Sequence, residues 1–184
     1  FIMNADGTGA SQLTSAGGFD PVWSPDGAKI AYTSTQDRPS GQIYVINVDG
    51  SGITRLTNHI SYDQQPSWSP DGTKIAFYSH RDNDNDEIFV MNADGTNPIN
   101  LTNAPSSGEY GPSWSPDGTK IAFSSSRNGN SEIYVMNEDG SNQTRITNIP
   151  GTDQAAYWEK FYRIGSTASA SVSRIITIEN TGGT

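Results

Sequence analysis

The sequence predicts an all-β fold: a β-propeller of four-stranded antiparallel blades, about four of them in this chain. Three observations carry that expectation. The pentapeptide Trp-Ser-Pro-Asp-Gly recurs at 23–27, 68–72 and 114–118, about 45 residues apart. A second marker, Asn-x-Asp-Gly, starts at Asn4, Asn47, Asn92 and Asn137 and closes an apolar run each time. The 184 residues are also rich in turn formers, with 19 Gly and 10 Pro, a composition that disfavours a helical domain.

Within one unit, the second, four strands are expected at 65–69, 74–79, 87–92 and 98–102. Ser-Pro-Asp-Gly suits the first tight turn, because Pro presets φ, Asp can bond its own backbone and Gly accepts positive φ. Asp-Gly after the third strand is a second hairpin signal, linking it antiparallel to the fourth. Runs such as Ile75-Ala76-Phe77-Tyr78 and Ile133-Tyr134-Val135-Met136 are apolar at consecutive positions, which suits a sheet covered on both faces. A 45-residue unit cannot cover itself, so blades must stack, with the strand-one Trp packed between them.

These segments resemble the WD-like propeller repeat of the TolB family over about residues 1–158. The resemblance implies a propeller of six or seven blades, common in secreted, periplasmic or surface proteins of bacteria, with ligands at the channel mouth or on one face. This chain holds too few units for that. Three arrangements are therefore open: a fragment of a larger propeller, half of a dimeric one completed by a second copy, or a small ring closed by tail strands pairing with the N-terminal strands to complete a fourth blade.

The ends bear on this choice. Residues 1–14 match strands three and four of a blade, and 153–158 match 63–68 position for position, opening a fourth unit at Trp158. There Trp158-Glu159-Lys160 lacks the reversing turn, so this unit is degenerate. The expected organisation is repeats over 1–164, followed by 165–184 either as the closing strand of the last blade or as a linker and the start of an immunoglobulin-like module. A short helix competes with strand over 152–164, and the register match favours strand.

Composition narrows the function. A net charge of −9 repels nucleic acid and anionic bilayers, and no stretch has the roughly 20 apolar residues of a membrane span. With no cysteine there is no disulfide, thiolate zinc site or cysteine nucleophile. The two histidines, His59 and His80, read as surface loop residues, and no Gly-x-Ser-x-Gly elbow occurs, so no catalytic residue is expected. The aspartates of the two turn motifs have backbone roles. Arg81 and Arg127 are expected to pair across the hairpin with Glu87 and Glu132.

Two candidate sites remain. The 82–87 segment alternates carboxylates and amides, hard oxygens suited to calcium, with Asp82, Asp84 and Asp86 as ligands; the other units hold ordinary hairpin residues there. Phe19, Tyr62 and Tyr110 lie where the chain enters strand one, with Phe19 taken as the counterpart of the other two, and could stack on a sugar or grip a peptide. The expected function is a non-catalytic scaffold of an exported protein, periplasmic or extracellular, that binds a protein or glycan and requires no cofactor. The alternative is an accessory propeller of a hydrolase, peptidase or polysaccharide lyase whose catalytic residues lie elsewhere.

Overall fold

The computed structural model describes residues 1–82, 85–148, 151–161 and 172–179. The described residues form strands and no helix. Blade one is β1 (Phe19–Trp23), β2 (Lys29–Ser34), β3 (Gln42–Asn47) and β4 (Thr54–Arg55). Blade two is β5 (Asp63–Trp68), β6 (Lys74–Asp82), β7 (Asn85–Asn92) and β8 (Ile99–Asn100). Blade three is β9 (Glu109–Trp114), β10 (Lys120–Asn128), β11 (Asn130–Asn137) and β12 (Thr144–Arg145). Each is an antiparallel meander in chain order. β13 (Asp153–Phe161) and β14 (Val172–Glu179) form a further antiparallel pair, and a lone bridge joins Ile2 to Ser11.

The two repeated motifs fold as staples. In the first, the Gly27 N–H reaches the Ser24 carbonyl at 2.9 Å, while the Ser24 hydroxyl donates to Asp26 Oδ1 at 2.6 Å and accepts the Lys29 N–H at 2.9 Å. Ser69 and Ser115 repeat the arrangement. In the second motif, Asp49 Oδ1 accepts both the N–H and the hydroxyl of Ser51, and Asp6, Asp94 and Asp139 do the same for Thr8, Thr96 and Ser141. These hydroxyl and amide donors hold all seven turn carboxyls below the usual aspartate range.

The glycine closing the second turn also sets how closely blades approach. A Cβ on Gly95 would lie 2.6 Å from the Leu56 carbonyl oxygen of blade one, and one on Gly140 would lie 2.7 Å from that of Leu101 in blade two. Both glycines hold positive φ as well, so no other residue fits without moving a neighbouring backbone.

The core lies between blades rather than within them. Trp68 packs in one cluster with Ala31, Ile43 and Val45 of blade one and Ile75, Phe77, Phe89 and Met91 of its own blade. Trp114 repeats this one blade later against Ala76, Ile88 and Val90, and Trp158 packs near Ala122 and Ile133. Trp23 has no such cover and is 51% exposed. Leu13, from the segment that carries the Ile2–Ser11 bridge, packs on the adjoining cluster of Ile30, Tyr32, Tyr44 and Ile46.

Several strand limits differ from the sequence reading. The central hairpins of blades two and three run on past a bulge to the pairs Asp82–Asn85 and Asn128–Asn130, whereas that of blade one stops at Ser34–Gln42, before the Pro39-containing loop. Strand one starts earlier than expected, at Asp63, and carries a bulge where Asp20, Gln65 and Gly111 take positive φ. Because strand one is the sheet edge, Pro21, Pro66 and Pro112 are tolerated within that bulge. Over 153–161 the chain is strand, and β14 pairs along it from Asp153–Glu179 to Phe161–Val172.

Candidate binding site

In an antiparallel meander the two stapled turns share one end of the blade, so the strand two–three hairpins and the connections into strand one meet at the other end. There the His80 N–H reaches the Tyr62 carbonyl at 3.3 Å, the Ser126 N–H reaches that of Gly108 at 3.2 Å, and Asn85 Nδ2 donates to the Ala104 carbonyl at 2.6 Å. This loop end holds Phe19, Tyr62 and Tyr110, together with Asp82 and Asp86.

Beneath it runs a line of buried polar groups. Strand three carries Gln42, Glu87 or Glu132 at one equivalent position, each closed off from solvent. The Glu87 carboxylate accepts the Thr102 hydroxyl and, at 2.7 Å, the Ala104 N–H. Glu132 accepts the Thr147 hydroxyl at 2.5 Å and Arg145 at 2.6 Å.

The arginines therefore do not pair as the sequence suggested. Arg81 meets Asp63 at 2.7 Å and Arg127 meets Glu109 at 3.4 Å, both buried acids that open strand one. Each guanidinium is turned back by its Nε bond to Ser79 or Ser125, which stands opposite that strand-one acid, and Glu87 and Glu132 are already engaged by groups in or just after strand four. The guanidinium planes also cover Phe77 and Phe89, or Phe123 and Tyr134.

Above this layer, blade two and the start of β9 build an aromatic cluster. Tyr62 meets Tyr78 edge-on at 5.9 Å and 70°, and Tyr78 meets Tyr110 at 5.4 Å and 71°. His80 stacks on Tyr62 at 5.2 Å. The nearly buried Asp86 gathers the rim: its Oδ1 accepts the Tyr62 hydroxyl at 2.5 Å and lies 3.1 Å from His80 Nδ1, and its charge acts on Tyr110. The Tyr78 hydroxyl donates to Gln64 Oε1 at 2.6 Å. Desolvation first, and the Asp86 charge second, push the Tyr78 and Tyr110 phenols up to about 12 and raise Tyr62 as well.

Of the residues singled out from sequence, Tyr62 and Tyr110 come together here, and Tyr110 stays 39% exposed. Phe19, 40% exposed, joins no ring pair among the described residues. It shares its register with Tyr110 and Gln64, so it is the counterpart of Tyr110 and not of Tyr62, which lies two residues earlier in its unit, level with Gly17 and Gly108. His80 is no free loop residue, because it is stacked and paired. Asp82 accepts from Asn100 at 3.2 Å, Asp86 is engaged as above, and Asp84 lies outside the described residues. Among the described residues no group of three or more His, Cys, Asp or Glu is arranged to hold a metal.

Tyr78 was missed, although an aligned reading of the units contains the signal. At the positions of Tyr62, Tyr78, His80 and Asp86, blade one has Gly17, Thr33, Thr35 and Gly41, and blade three has Gly108, Ser124, Ser126 and Ser131. Two blades thus fold with small residues where blade two carries rings and charge.

Comparison with known proteins agrees with this architecture. The TolB beta propeller domain profile matches residues 1–80, 18–104 and 66–163. No curated protein matches the sequence. Among solved structures, a protein assigned as TolB from Agrobacterium tumefaciens is similar with a TM-score of 0.70 and 27% identity, over 88% of this chain and 61% of that one. TolB from Acinetobacter baumannii gives 0.75 and 22%, over 99% and 46%. A chain of a nidogen/laminin complex gives 0.63 and 14%, over 76% and 51%, a likeness of fold alone. This chain thus spans roughly half the length of the TolB chains it matches. Among the described residues no helix is long and apolar enough to cross a membrane.

Proposed function

Since the chain belongs to the TolB β-propeller domain family, we propose that it is a non-catalytic binding module of an exported protein, periplasmic or extracellular, that takes a protein or glycan ligand on its loop end where blade two meets blade three. The observation that supports this reading is the departure of one blade from its own repeat. Tyr62, Tyr78, His80 and Asp86 occupy positions that the neighbouring blades fill with Gly, Ser or Thr, so the scaffold does not require them. Aromatic rings held rigidly at a surface supply contact area at low conformational cost, which suits recognition.

Panels of immobilised peptides and glycans probed with the full chain and with Tyr110→Leu test the reading. Ligands bound by the parent chain and lost in the variant are expected. A panel without hits, or hits indifferent to the substitution, would remove this end of the propeller as the binding face.

A further inference from the structure

We infer that the group this aromatic site recognises is a cationic side chain, a lysine or arginine presented by a protein partner. This rests on the reading of the loop end as the binding face and names what that face selects. The outer rings of Tyr62 and Tyr110 stand nearly perpendicular to the central Tyr78, so the three form walls rather than a stack. The Tyr62 and Tyr78 hydroxyls are spent inside the cluster, on Asp86 and Gln64. What the exposed ring of Tyr110 offers outward is its π surface, whose quadrupole is negative on its face.

The charges beside the rings have the same sign. The Asp86 carboxylate acts on all three phenols, and Asp20 acts on Tyr78. The nearby guanidiniums of Arg81 and Arg127 are committed to Asp63 and Glu109 and lie over inner aromatic rings. Among the described residues, His80 is the one cation-forming group that meets Asp86. A net charge of −9 extends the same field outward and speeds the approach of a basic partner. A neutral sugar could stack on the rings, but it would gain nothing from this charge and would find the Tyr62 and Tyr78 hydroxyls already engaged.

The experiment measures fluorescence anisotropy of a labelled hexa-arginine peptide on the full chain, beside a neutral glycine-serine peptide and a neutral glucan oligosaccharide as competitors. Hexa-arginine is expected to bind in a salt-sensitive manner, about tenfold more weakly to Tyr110→Leu and Asp86→Asn. Tyr110→Phe, which keeps the ring, should bind like the parent, and so should Asp94→Asn, which removes an equal charge at the opposite end. Near-UV circular dichroism identifies a variant whose ring cluster has collapsed, and Tyr110→Leu then carries the test alone. Equal weakening by Asp94→Asn would overturn the inference by showing diffuse acidity. Glucan binding that depends on Tyr110 while hexa-arginine fails to bind would overturn it too, and would leave the binding face intact. If no probe binds through Tyr110, both readings fall.

Discussion

Replacing Glu109 by Gln should change the pH dependence of stability in a way that isolates one buried acid. Glu109 is closed off from solvent. Its Oε1 accepts from Ser107 at 2.6 Å, Ser125 at 2.7 Å and Arg127 at 3.4 Å, and its Oε2 has no partner among the described residues. Desolvation outweighs the two hydroxyls and Arg127, and with the Glu87 carboxylate nearby it pushes the carboxyl up from 4.5 to about 7. The native state therefore holds this proton more tightly than the unfolded chain does. Its contribution is present in full below the unfolded value and is lost as pH rises through the folded one. The whole interval corresponds to about 3 kcal/mol, of which about 2 kcal/mol falls between about pH 5.5 and about pH 8. Gln has the shape of the protonated acid and does not titrate. Urea unfolding of both proteins across that range should show the variant gaining about 2 kcal/mol on the parent, with the exposed turn aspartates cancelling because both share them. A difference that stays level to within about 0.5 kcal/mol would refute the assignment of a raised carboxyl to this site.

Trp68→Ala should cost about 3–5 kcal/mol in urea unfolding because it empties the seam between blades one and two, while Trp23→Ala, half open to solvent, should cost less than about 1 kcal/mol; equal losses would contradict the between-blade core. Ser69→Ala strands the Lys74 N–H and should lose about 1–2 kcal/mol, and Ser24→Ala and Ser115→Ala should each match it, since the three staples are alike; a markedly larger loss at one would break the equivalence of the turns. Calcium and a chelator should leave the melting temperature unchanged, because Asp86 and Asp82 already accept protein donors; a calcium-dependent rise would mean that the hairpin rearranges to take the ion.

The fold was legible because each unit writes its turns in full. Ser-Pro-Asp-Gly and Asn-x-Asp-Gly are local signals whose geometry the flanking residues complete, so blade architecture and strand order could be read one segment at a time. Strand ends were less legible, because the bulged extension to Asp82 and Asn85 depends on how the hairpin pairs across a shift in register. The site was legible only in part. Tyr62 and Tyr110 stand out in a polar stretch, whereas Tyr78 hides in an apolar run that reads as core. The Arg81–Asp63 pair was invisible for a similar reason: Ser79 stands between two acids, Asp63 and Glu87, and only the three-dimensional engagement of Glu87 by Thr102 and Ala104 decides which one the arginine meets.

The stapled turns also bear on the chemical lifetime of the protein. Asp-Gly bonds age through attack of the glycine nitrogen on the aspartyl side chain, a cyclisation that runs through the protonated carboxyl and needs a free amide. In all seven such turns the glycine N–H is held by the carbonyl three residues back. The aspartyl carboxyl, meanwhile, is kept ionised by the hydroxyl or amide it accepts. A sequence dense in the dipeptide most prone to isomerise is thus folded so that neither reacting partner is available, and its durability depends on the blades staying shut.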